Sequence, residues 1–128
     1  MKYSYPAVFT PEEGGYSVVF PDLEGCYTCG DDMTDAIYMA EDVLALTLYS
    51  YERDRKPIPA PSNSLPLKDG EFVNYIACDT LEYQKRFNNK AVKKTLSIPE
   101  WLNEAALSMN INFSQVLQDA LLAKVEMK

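Results

Sequence analysis

The chain has 128 residues, 47% of them apolar and 24% charged, with a formal net charge of −7, three cysteines and no histidine. That is enough for one ordinary domain, or two small ones, built on a real hydrophobic core. The absence of histidine excludes Ser-His and Cys-His nucleophile pairs and every imidazole-ligated zinc site, and with them much hydrolytic chemistry.

The charge is unevenly spread. Residues 1–87 hold seven Lys/Arg against fifteen Asp/Glu, a net of −8, whereas residues 88–128 hold five Lys against four Asp/Glu, a net of +1. The acidic majority suits a basic partner, and the last third has lost the charge that would repel a phosphate backbone. No apolar run is long enough to cross a bilayer, and "MKYSYPAVF" lacks the apolar block and cleavage site of a signal peptide, so a cytoplasmic location is expected.

In chain order, "KYSYPAVFT" alternates polar with apolar residues and reads as a strand. "PEEGG" is a turn, with Gly14 and Gly15 supplying positive φ. "YSVVF" is a second strand, "PDLEG" a second turn, and "CYTCG" a short third strand. From Asp32 onward apolar residues recur at Ala36, Ile37, Ala40, Val43, Leu44, Thr47, Leu48 and Tyr51, the stripe of an amphipathic helix capped by Thr34 or Asp32. The proline-dense "DRKPIPAPSNSLP" ends it. "EFVNYIACD" is a fourth strand, and "TLEYQKRFNNK" a short helical connector with a boundary at Asn88-Asn89.

The remainder reads strand, helix, helix. "AVKKTLSI" places Val92, Lys94, Leu96 and Ile98 on one face and Lys93, Thr95 and Ser97 on the other. Pro99 opens the helix "EWLNEAALSM", where its missing N–H does no harm. "NINF" breaks that helix, and Ser114 is the expected N-cap of "QVLQDALLAKVEM".

Two clusters invite a chemical reading. Cys26 and Cys29 have the spacing of a metal or redox pair, but zinc needs two more ligands and only Cys78 remains. A redox pair also needs a helix N-terminus, whereas these two lie in a predicted strand that points them to opposite faces. Packed thiols beside a turn are therefore expected, with no metal and no cofactor. The carboxylates Asp22, Glu24, Asp31, Asp32, Asp35, Glu41 and Asp42 are numerous enough for a two-metal nuclease, the alternative function. Their placement on turns and on a polar helix face favours a solvated or interacting surface instead.

The terminal strand is more specific. An isolated eight-residue strand cannot satisfy its own backbone groups, so it must pair. Its most economical partner is the same strand of a second copy, which makes a two-stranded antiparallel ribbon over interlocked helices. Leu96, Ile98, Trp101, Leu102, Val116, Leu117 and Leu121 would form the dimer core. Lys93, Thr95 and Ser97 of each chain would face outward, into a DNA major groove that admits such a ribbon. The backbone N–H of Ser114 would meet a phosphate.

These residues resemble a ribbon-helix-helix DNA-binding domain. The run "NKAVKKTLSIPEWLNEAA…NINFSQVLQDALLAK" is similar to the form carried by many HicB-type antitoxins. The first part resembles the HicB N-terminal domain in its Y-P-A, G-G-Y, F-P-D-L-x-G-C, G-D and P-x-P-x-P-S marks. The resemblance implies an α+β chain: a β-β-β-α-β, partly truncated RNase-H-like domain over residues 1–80, a linker over 81–89, and a ribbon-helix-helix module over 90–128. It implies a non-enzymatic antitoxin that neutralises a HicA-like, mRNA-cleaving toxin and represses its own operon as a homodimer or higher assembly. Toxin contacts are then expected among the acidic turn residues Asp22, Glu24, Asp31 and Asp32, and operator contacts at Lys93, Thr95, Ser97 and Ser114.

Overall fold

The computed structural model describes residues 1–126; Met127 and Lys128, the end of the expected C-terminal module, lie outside the described residues. Its elements run β1 (Lys2–Glu12), β2 (Gly15–Val19), β3 (Tyr27–Gly30), α1 (Met33–Asp54), β4 (Phe72–Asp79), α2 (Thr80–Phe87), α3 (Glu100–Ser108) and α4 (Phe113–Glu126). They fall into two compact units, Met1–Lys90 and Ala91–Lys128.

In the first unit the strands form one antiparallel sheet of order β3-β2-β1-β4. β1 has neighbours on both sides only at Val8 and Phe9. It pairs with β4 from Lys2 to Phe9 and with β2 from Val8 to Glu12. Its two prolines, Pro6 and Pro11, therefore stand where only one side is paired, which is where a residue without an N–H is tolerated. The hairpin is tighter than "PEEGG" suggested. Strand pairing runs on to Glu12–Gly15, so the turn is Glu13-Gly14, with Gly14 at φ 83.

α1 lies on one face of the sheet. Ala36, Ala40, Leu44 and Leu48 from the helix meet Tyr5, Ala7, Phe9, Val18 and Ile76 from the strands, and Phe20 just past β2, in one buried core. Each fully buried Leu or Phe side chain contributes about 1.5–3 kcal/mol relative to exposure. Asp32 caps the helix, accepting the Asp35 N–H at 2.8 Å. The helix ends in a Schellman turn, with Arg55 left-handed at φ 55 and the Lys56 N–H bonded to the Tyr51 carbonyl at 2.9 Å.

The helix start and β3 approach each other so closely that only glycine fits between them. A methyl group on Gly30 would lie 2.3 Å from the Ala36 nitrogen and 2.5 Å from its Cα. The 57–66 segment is held in place by two side chains. Tyr5 donates its hydroxyl hydrogen to the Pro59 carbonyl, and Asp22 accepts from the Ser62 N–H at 2.9 Å and from the Ser62 hydroxyl.

α2 occupies most of the expected linker and is part of the first unit. Asp79 caps it, accepting the Leu81 N–H at 3.0 Å, and the Tyr83 ring lies 5.6 Å from that of Tyr49 on α1.

In the second unit the strand expected at 91–98 is absent from the single chain: residues 88–99 form no regular structure. A strand is defined by hydrogen bonds to a neighbour, and this chain holds only one such segment. α3 and α4 form as expected, with one correction. Asn112, not Ser114, caps α4, accepting the Gln115 N–H at 3.1 Å. α3 closes with Asn110 in the left-handed conformation at φ 55 and the Ile111 N–H on the Ala106 carbonyl at 3.1 Å. Asparagine is one of the few residues that accept this geometry without a large penalty.

Candidate interaction surfaces

The cysteines resolve first. Cys26 closes the turn after β2, its N–H on the Leu23 carbonyl at 3.3 Å, and its thiol is buried against the Val43 carbonyl at 3.9 Å. Cys29, three residues on, is exposed. The thiols thus point into different surroundings. Burial raises the Cys26 thiol above its ordinary value, with a Thr47 hydrogen bond opposing. Cys78 is pushed up to about 11 by burial, then by the carboxylates of Asp79 and Glu52. Both are therefore poor nucleophiles and packed as small hydrophobes. Among the described residues no group of three or more Cys, Asp or Glu is placed to hold a metal ion.

The four acidic turn residues do not form one patch. Asp22 and Glu24 precede β3, and Asp31 and Asp32 follow it, so a four-residue strand of roughly 13 Å separates the pairs. Asp22 is occupied by Ser62 and Asp32 by the cap of α1, while Asp31 donates its N–H to Asp35 Oδ2 at 2.9 Å. Glu24 and Asp31 keep exposed carboxylates. The pinning role of Asp22 was not legible in the sequence, because its partner Ser62 lies forty residues away.

A second acidic surface is assembled only by the fold. Glu41 and Asp42 of α1, Asp79 at the end of β4 and Glu82 of α2 line one groove with Tyr38, Tyr83 and Arg86. The Tyr83 hydroxyl is raised by burial and then by the nearby Asp42 and Tyr49. The i, i+3, i+7 spacing of Tyr38, Glu41 and Ala45 was the available signal, and it reads in sequence only as one face of a helix.

The second unit carries the opposite anomaly, a set of large apolar side chains without cover. Neither α3 nor α4 buries any residue. Leu96 is 61% exposed, Trp101 70% and Leu121 55%, and Ile98, Leu102 and Val116 are also exposed; only Leu117 of the expected dimer core is half-buried. Lys93, Thr95 and Ser97 lie exposed in the irregular segment, and Ser114 is the second residue of α4, its N–H in the open first turn.

Against known proteins, residues 4–78 match the HicB-like antitoxin family of bacterial toxin-antitoxin systems. The chain belongs to that family. Its members are antitoxins, regulatory rather than catalytic. Among curated HicB-like relatives, Antitoxin HicB 2 of Photorhabdus laumondii is 41% identical over 58 residues, which covers 45% of this chain and 42% of that protein. Antitoxin HicB of Escherichia coli K12 is 38% identical over 63 residues, covering 47% and 46%. The matches therefore span less than half the length of these relatives.

Among solved structures, a chain of a toxin-antitoxin complex from Streptococcus pneumoniae superposes with a TM-score of 0.63 at 30% identity, covering 97% of this chain and 99% of that one. A crystal structure of the antitoxin HicB3 matches in fold with a TM-score of 0.53 at 24% identity, over 96% and 98% of the two chains. No helix among the described residues is long and apolar enough to cross a membrane.

Proposed function

We propose that this chain is the antitoxin of a type II toxin-antitoxin system, working in the cytoplasm. Its first unit, an RNase-H-like fragment, covers a HicA-like, mRNA-cleaving toxin. Its second unit pairs with that of another copy to form a ribbon-helix-helix that binds operator DNA and represses the operon. The observation that carries the dimer is the bare apolar set of the second unit. A small helix pair that buries nothing of its own has no stable core until something covers it. A two-fold partner would supply both that cover and the missing hydrogen bonds of residues 91–98.

Pairing these segments turns Lys93, Thr95 and Ser97 of both chains to one side, as a groove reader requires. With a net charge of +1 over residues 88–128, few phosphates are neutralised, so affinity rests on base contacts and on two half-sites. The test is binding of the full chain to DNA from its own promoter region across a salt series. Specific binding that is lost in Lys93→Ala/Thr95→Ala, with the dimer retained, supports the ribbon. Equal binding by that variant refutes it. Binding of a purified HicA-like toxin tests the antitoxin role directly.

A further inference from the structure

The sheet has two edges, and they are unlike. β3 is four residues long and ends at Gly30, wedged against α1. β4 is eight residues long and pairs with β1 on one side alone. Along its free side, alternate N–H and C=O groups over roughly 27 Å have no strand beside them. Proteins blunt such edges with lysine, proline, a bulge or a short strand. β4, "FVNYIACD", contains no Lys, Arg or Pro, and Tyr75 and Ala77 stand exposed along it. One edge is protected and the other is left ready to pair.

The surroundings of the open edge select what pairs with it. The groove beside the C-terminal half of β4 carries Glu41, Asp42, Asp79 and Glu82 against a single guanidinium, that of Arg86, with Tyr38 at its rim. Asp79 caps α2 and lies 3.7 Å from the N-terminal ammonium of Met1, and Glu82 meets Lys85 at 3.1 Å, but Glu41 and Asp42 make no hydrogen bond or ion pair among the described residues. Antiparallel pairing of β4 with β4 of a second copy would set these carboxylates opposite the N-terminal half of the partner strand, "FVNY", which has no cation to answer them, and their desolvation opposes association. An extended segment bearing Lys or Arg meets no such opposition: backbone bonds run along β4 and its cations reach Glu41 and Asp42.

We propose that the toxin docks on the first unit by adding a basic extended segment to the open edge of β4, between α1 and α2. This rests on the antitoxin reading for the identity of the partner, and replaces the acidic turns at the ends of β3 as the principal contact. The experiment uses the full chain and the purified HicA-like toxin that the antitoxin reading assigns to it. Three forms are compared: the unaltered chain, Glu41→Lys/Asp42→Lys, and the turn control Glu24→Lys/Asp31→Lys. Glu24, Asp31 and Glu41 are exposed and Asp42 is half-buried, and circular dichroism melts verify that each form folds.

The expected result is affinity weakened by roughly tenfold or more in the groove variant, with a steep salt dependence in the unaltered chain and little change in the control. Hydrogen exchange supplies an independent readout, in which alternate amides of residues 72–79 slow by about tenfold or more on binding. Unchanged affinity in the groove variant, or loss in the turn control alone, would overturn the β4 assignment and leave the antitoxin role intact. Protection of β4 in the chain alone as its concentration rises would assign the edge to self-pairing and overturn it too. Absence of any binding by the unaltered chain would overturn the antitoxin reading itself, and this partner with it.

Discussion

Leu121→Ala discriminates sharply between a second unit that is a bare helix pair and one that is half of a two-fold core. In the single chain Leu121 is 55% exposed, and truncating an exposed side chain changes stability by no more than about 0.5 kcal/mol. In a dimer core the same truncation costs about 2–5 kcal/mol per site. A two-fold interface contains the residue twice, so even the low end comes to about 4 kcal/mol per dimer. That is roughly a thousandfold in the dissociation constant. The readout is built in. Trp101 is the sole tryptophan and is 70% exposed in one chain, so its emission reports burial without ambiguity. Diluting the unaltered protein should shift the emission toward that of a water-exposed indole, and Leu121→Ala should move the midpoint up by about three orders of magnitude in concentration, in step with sedimentation. Emission of an exposed indole at every concentration, indifferent to Leu121→Ala, would refute the dimer.

Gly30→Ala should lower the stability of the first unit by about 1–3 kcal/mol or more, because the added methyl meets helix backbone that cannot rotate aside. Gly14→Ala, at φ 83 with open space around it, should cost only about 1 kcal/mol, and equal melting temperatures would show the wedge to be unimportant. Alkylation at pH 8 should label the exposed Cys29 first. Cys78, pushed up to about 11 from 9.0, carries about a hundredfold less thiolate than an unshifted cysteine, and mass spectrometry of a time course checks the order. Glu71 is held below its ordinary value by the Lys68 N–H and the Thr10 hydroxyl. Folding therefore favours its charged form, a contribution complete above the ordinary Glu value and lost as pH falls through the depressed one. Glu71→Gln should flatten the acid limb of a stability-versus-pH curve, and an unchanged limb would contradict the assignment.

Local order was legible wherever neighbours in sequence decide it. The stripe from Ala36 to Leu48 faces the sheet as its spacing required, Asp32 caps α1, and the alternation of β4 separates buried Ile76 from exposed Tyr75. Composition alone disposed of histidine-dependent chemistry, and "PDLEG" and "CYTCG" read as a turn leading into a short strand.

What the linear order concealed were partnerships across long separations. Ser62 claims Asp22, and Gly30 is wedged against Ala36 by the packing of α1. Carboxylates from α1, β4 and α2 meet in one groove only because the fold brings those elements together. The strand over 91–98 marks the boundary between the two kinds of knowledge. Its alternation is written in the sequence, but a strand exists only through hydrogen bonds to a neighbour, and one chain supplies none. A pattern of side chains is a property of a sequence; a ladder is a property of an assembly.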